Sequence, residues 1–118
     1  MEDVEKWFEK AEKDYSLAED NQKIGNHGAS MFFCHQSAEK ALKALQLKET
    51  GEKSYSHNLL AISNKIEVAD FEELLAELNP FYTGFRYPDE DSPEVEKPEE
   101  ILEETGELLE WIKKQLRE

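Results

Sequence analysis

Cysteine is nearly absent. Cys34 stands alone, so no internal disulfide can form. Its Ala and Leu neighbours mark it as a buried thiol. With one Cys and three His the chain lacks the ligands of a structural zinc site, and neither a metal nor another cofactor is expected. No Gly-rich phosphate loop or Walker pattern occurs. No apolar run nears the roughly 18 residues of a membrane span, and no signal-peptide pattern follows Met1. A cytoplasmic location without membrane association is therefore expected. Bases are few, with 14 Lys and Arg against 28 Asp and Glu, a net charge of −14. The imbalance is uneven: residues 1–50 hold 7 basic and 10 acidic groups, residues 51–118 hold 7 and 18. Phosphate contacts need clustered Lys or Arg, so direct nucleic-acid binding is not expected. Strand-like alternation is missing throughout, and no internal repeat is found.

Helical periodicity is what the chain does have. Its 118 residues suit one domain, 1–118, large enough to bury a core unaided. The stretch from Ser30 to Lys48 is rich in Ala, Leu, Lys, Gln and Glu and contains neither Gly nor Pro, which predicts a long helix. Met31, Cys34, Ala38, Ala41, Leu42 and Leu45 fall within an arc of about 100°, a core-facing stripe. The opposite side carries His35, Glu39 and Lys43 at i, i+4, i+8, with Gln36 and Lys40 beside them and Phe32 and Leu47 in the same arc. Such a mixture predicts a surface with a second job, a partner interface or a ligand site. Lys40, Lys43 and Lys48 make a small basic patch that reads first as solubilising charge and second as an anion site.

The remaining helices follow in order. A first helix over about Glu2–Gln22 carries Val4, Trp7, Phe8, Ala11, Tyr15 and Ala18 at helical spacing. Gly25-Asn26-His27-Gly28 predicts a break, and so an antiparallel hairpin with the central helix. Gly51 is placed to end the central helix. Ser56 is the expected N-cap of a third helix with His57 in its first turn, and Asp70 of a fourth, which Pro80 limits. The aromatic-rich segment Asn79-Pro80-Phe81-Tyr82-Thr83-Gly84-Phe85-Arg86-Tyr87-Pro88-Asp89 reads equally as an anchoring loop or a ligand-binding one. Acidic residues 89–100 predict an extended loop, and a last helix from Glu99 carries Ile101, Leu102, Thr105, Leu108, Leu109, Ile112 and Leu116. The fold class is all-α, an up-and-down bundle of four to five helices.

Little catalytic chemistry is legible. Cys34 and His35 are adjacent on a helix, so their side chains diverge by about 100° and cannot form a nucleophile–base pair. His35 and Glu39 at i, i+4 fit a structural salt bridge first and a carboxylate-oriented imidazole second.

Three stretches, His35-Gln36-Ser37-Ala38-Glu39-Lys40-Ala41-Leu42-Lys43-Ala44, Ser56-His57-Asn58-Leu59 and Arg86-Tyr87-Pro88-Asp89, together with Ala11, Asp14, Tyr15 and Ala18, resemble the HEPN domain family (higher eukaryotes and prokaryotes nucleotide-binding). The resemblance spans nearly the whole chain. It implies a helical bundle, commonly a homodimer, often encoded beside a small nucleotidyltransferase and in several cases forming a toxin–antitoxin pair. Many such proteins are metal-independent ribonucleases with Arg, four to six residues, then His. Here Asp91, Ser92 and Pro93 stand at the required positions after Arg86, Arg117 is too near the end, and no Arg precedes His27, His35 or His57.

The expectation is thus a non-catalytic HEPN domain. It acts as a homodimer and as partner of a nucleotidyltransferase encoded nearby, and binds a nucleotide or partner through His35, Gln36, Glu39, Lys40, Lys43, His57, Arg86, Tyr87, Pro88 and Asp89. Lys40, Lys43 and Arg86 would contact phosphates. One alternative is a HEPN-type toxin ribonuclease with a non-standard site, and another is a purely structural helical dimer.

Overall fold

Helix α1 (Glu2–Lys23) and helix α2 (His27–Thr50) form the hairpin, and small residues explain how closely they pack. Ala11 and Ala18 are wholly buried on α1, where Ser37 Oγ donates to the Ala11 carbonyl at 2.7 Å and Ser30 Oγ to the Ala18 carbonyl at 2.8 Å. A larger side chain at any of these positions would hold the backbones apart. The computed structural model describes residues 2–68, 70–82 and 95–118. The turn is tighter than the Gly25–Gly28 break: Gly25 takes φ 78°, Asn26 caps α2 through Ala29 N–H, and Gly28 already lies inside the helix. At the far end Gly51 adopts φ 74° and donates to the Leu47 carbonyl, the left-handed cap predicted for it.

Among the described residues three further helices join an all-α bundle: α3 (Leu59–Ser63), α4 (Glu72–Leu78) and α5 (Pro98–Leu116). Pro98 stands in the first turn of α5, where its fixed φ suits helix entry. Two caps differ from expectation. Asn58, not Ser56, caps α3, its Oδ1 accepting from the Leu60 and Ala61 amides. Ser56 Oγ instead accepts from Asn58 N–H, so His57 lies ahead of the helix and outside its first turn. Asp70 does not cap α4; Phe71 occupies that position without a side-chain bond, its carbonyl accepting from Leu75 N–H. Neither Ser56 nor Asp70 stands directly before its helix, where a cap must sit.

Helix α5 runs beside α2 in the same direction and against α1. Tyr15 Oη donates to the Leu102 carbonyl at 3.0 Å, and Lys48 Nζ bonds the Gln115 carbonyl at the other end. Because α2 and α5 are parallel, the described residues of the connection between them, 51–68 and 70–82, decide what α2 buries on its remaining side. His57 arrives at Glu39 and Tyr82 at His35. Helix α2 is consequently enclosed on nearly all sides. The predicted stripe is in the core, but His35, Glu39, Lys43 and Leu47 are buried as well, so the opposite side is no open surface. The lysine patch is corrected too. Lys40 pairs with Asp14, Lys43 with Glu39, and Lys48 with the α5 carbonyl, so all three serve tertiary contacts and none is simply solubilising charge.

Cys34 is fully buried, and desolvation pushes its thiol up to about 12. Among the described residues there is no strand, no helix long and apolar enough to cross a membrane, and no grouping that could hold a metal ion. Arg86, Tyr87, Pro88 and Asp89, with most of the aromatic run and the first half of the acidic loop, lie outside the described residues.

Candidate functional site

Glu39 is the centre of the polar cluster. Its position on α2 faces the returning chain, and its carboxylate is almost wholly buried. Lys43, one turn on, donates through Nζ to Glu39 Oε2 at 3.1 Å, and the same ammonium lies 5.6 Å from the centre of the Trp7 ring. A buried charge persists only when paired, so each of the two depends on the other. From the 51–58 loop, His57 Nδ1 approaches Glu39 at 3.1 and 3.3 Å. A carboxylate there can only accept, which makes Nδ1 the protonated nitrogen and leaves Nε2 as an acceptor in the neutral ring.

Tyr82 stacks on this oriented imidazole, with ring centres 4.5 Å apart and planes 12° from parallel. Its ring is also 5.5 Å from that of His35. His57 remains half-exposed, and with Asn58, Asn79, Pro80 and Tyr82 it lines a shallow recess of about 340 Å³. The rim is pre-set by amides. Asn79 Nδ2 donates to Asn58 Oδ1 at 2.9 Å, while Asn79 Oδ1 accepts from Leu59 N–H at 2.9 Å.

His35 does not pair with Glu39, although the spacing allowed it. Glu39 has turned to Lys43 and His57, and His35 Nδ1 instead lies 3.4 Å from Gln36 Nε2. Its Nε2 has no hydrogen-bond partner among the described residues, although the His57 backbone is close. Burial holds this imidazole at about 4, below its ordinary 6.5, against the opposing pull of the Glu39 carboxylate. It is neutral at physiological pH.

The structure therefore brings His35, Glu39, Lys43 and His57 together, with Gln36 at the edge. Lys40 is drawn aside to Asp14. Tyr82, Asn58 and Asn79 are the members that sequence reasoning missed. Tyr82 sat unremarked within an aromatic run, and the two amides meet across a separation of 21 residues.

Comparison with known proteins gives a consistent picture. The HEPN domain family model matches residues 4–115. Among solved structures, TT1696 from Thermus thermophilus superposes with a TM-score of 0.83 at 24% identity, covering 97% of this chain and 98% of that one. ST0689, described as an archaeal HEPN homologue, gives 0.73 at 29% identity with 98% of both chains covered. No curated protein matches. The family match spans the hairpin, the returning segment and α5 alike, and the chain belongs to the HEPN domain family.

Proposed function

We propose that this chain is a non-catalytic HEPN domain that binds a nucleotide at the His57–Tyr82 recess and works as a homodimer with a small nucleotidyltransferase encoded nearby. The observation that carries the nucleotide reading is the parallel His57–Tyr82 stack, locked from behind by Glu39 and open at the front. Stacked rings with a half-exposed outer face are a sequence-tolerant platform for a base. The homodimer and the partner rest on family membership. Calorimetry with a panel of nucleotides, with the folded chain and its partner present, tests the proposal. Heat with at least one nucleotide is expected; silence across the panel removes the ligand half. Light scattering tests the dimer, which a monomer at micromolar concentration would refute.

A toxin ribonuclease with a non-standard site is the second reading. It is favoured by one feature, the carboxylate that orients His57 as a potential general base. It requires metal-free cleavage of RNA that His57→Ala abolishes; intact tRNA and mRNA after prolonged incubation would exclude it.

A further inference from the structure

We infer that the recess recognises the neutral ring of its ligand, a nucleobase, and not its phosphates; this rests on the nucleotide reading above and narrows it. Charge is the first reason. The lining residues His57, Asn58, Asn79, Pro80 and Tyr82 include no permanent cation. Lys43, the nearest one from α2, is buried with its ammonium spent on Glu39 and Trp7, and Lys40 is held by Asp14. Directly behind His57 the Glu39 carboxylate and the Lys43 ammonium compensate each other, so the pair offers the recess no net positive charge, in a chain of net −14. A phosphate placed at this mouth would find no ammonium or guanidinium among the described residues that line it.

Size and hydrogen bonding give the second and third reasons. A recess of about 340 Å³, open at the front, has room for a flat ring on the outer face of His57. At the rim, Asn58 Oδ1 is already used by the Leu60 and Ala61 amides and by Asn79 Nδ2, which leaves Asn58 Nδ2 as a donor. A donor beside a stacking face is complementary to a base that presents an acceptor on its edge.

The test is calorimetry on the full chain with the four nucleosides, their 5′-triphosphates and inorganic tripolyphosphate, at about 50 and about 200 mM salt. At least one nucleoside should bind within about threefold of its triphosphate, with less than about a twofold loss across that salt range and no heat from tripolyphosphate. His57→Ala should weaken the nucleoside by about 5- to 100-fold, the range of a lost base–aromatic stack, in a variant with unchanged helical circular dichroism. His57→Phe keeps a ring, and in a variant with likewise unchanged helical circular dichroism it should retain nucleoside binding. Triphosphates that bind more than about tenfold tighter than nucleosides, with a steep salt dependence, would overturn ring recognition and leave nucleotide binding standing. No binding by nucleosides or triphosphates overturns both.

Discussion

His35 makes acid stability a direct test of the buried polar face. In the folded chain the imidazole is held at about 4 by burial, with His57 and Lys43 pushing the same way and Glu39 and the His57 backbone opposing; unfolded, it returns to about 6.5. Between those values the unfolded chain binds the proton and the folded chain does not. Stability is therefore complete above about pH 7, falls as pH drops through 6.5, and stops falling near pH 4. The full span corresponds to about 3 kcal/mol, of which about 2 kcal/mol is already lost at about pH 5. Urea unfolding at about pH 7.5 and about pH 5 reads this as a midpoint shift of about 1 M for a slope near 2 kcal/mol/M. His35→Leu is the reference, because it keeps every carboxylate. Among these is Glu104, raised by burial and by its glutamate neighbours, which favours folding as the pH falls. The difference between wild type and variant isolates His35. Parallel pH dependences in the two proteins would refute the reasoning.

Three other outcomes are expected. A Cβ at Gly106 would lie 2.5 Å from Tyr15 Oη and 3.0 Å from its Cζ, so Gly106→Ala should cost about 1–3 kcal/mol by thermal melting, partly recovered by Tyr15→Phe. Glu39→Gln leaves the Lys43 ammonium buried without a counter-charge and should cost about 3 kcal/mol in urea unfolding; Glu39→Leu with Lys43→Met should cost less, and equal losses would argue against the pair. Cys34 should resist a thiol reagent such as dithionitrobenzoate in native buffer and react in denaturant, since its thiol is buried and raised to about 12; rapid native labelling would contradict that placement.

The long helices and the cap at Gly51 were legible because periodicity and glycine act locally. The mixed face of α2 was misread for an equally physical reason. Amphipathic reasoning assumes one buried side, whereas α2 is roofed by a segment whose route depends on α5 running parallel to it. Nothing in residues 30–48 encodes that direction. The choice of Asn58 over Ser56 has a similar origin. Both can cap, and Asn79, contributed from the end of α4, favours Asn58 by bonding both its side chain and the next amide. Of the candidate site, His35, Glu39, Lys43 and His57 were found by residue type, but their pairing was not. The orientation of Glu39 is settled by a loop partner that i, i+4 geometry does not contain.

The amide contact between Asn58 and Asn79 has a kinetic consequence. It fastens the first residue of one short helix to the end of the next, closing a loop of about 20 residues without a covalent bond. Helices α3 and α4 are each too short to persist alone, so the loop between the two amides should open and close as one cooperative unit. Tyr82 lies just beyond that clasp, and when the unit opens the stack on His57 is released with it. A bound ring would hold the clasp shut, and native-state hydrogen exchange would report this as slower release of the Ile62, Asn64 and Leu75 amides while the α1–α2 hairpin stays unchanged.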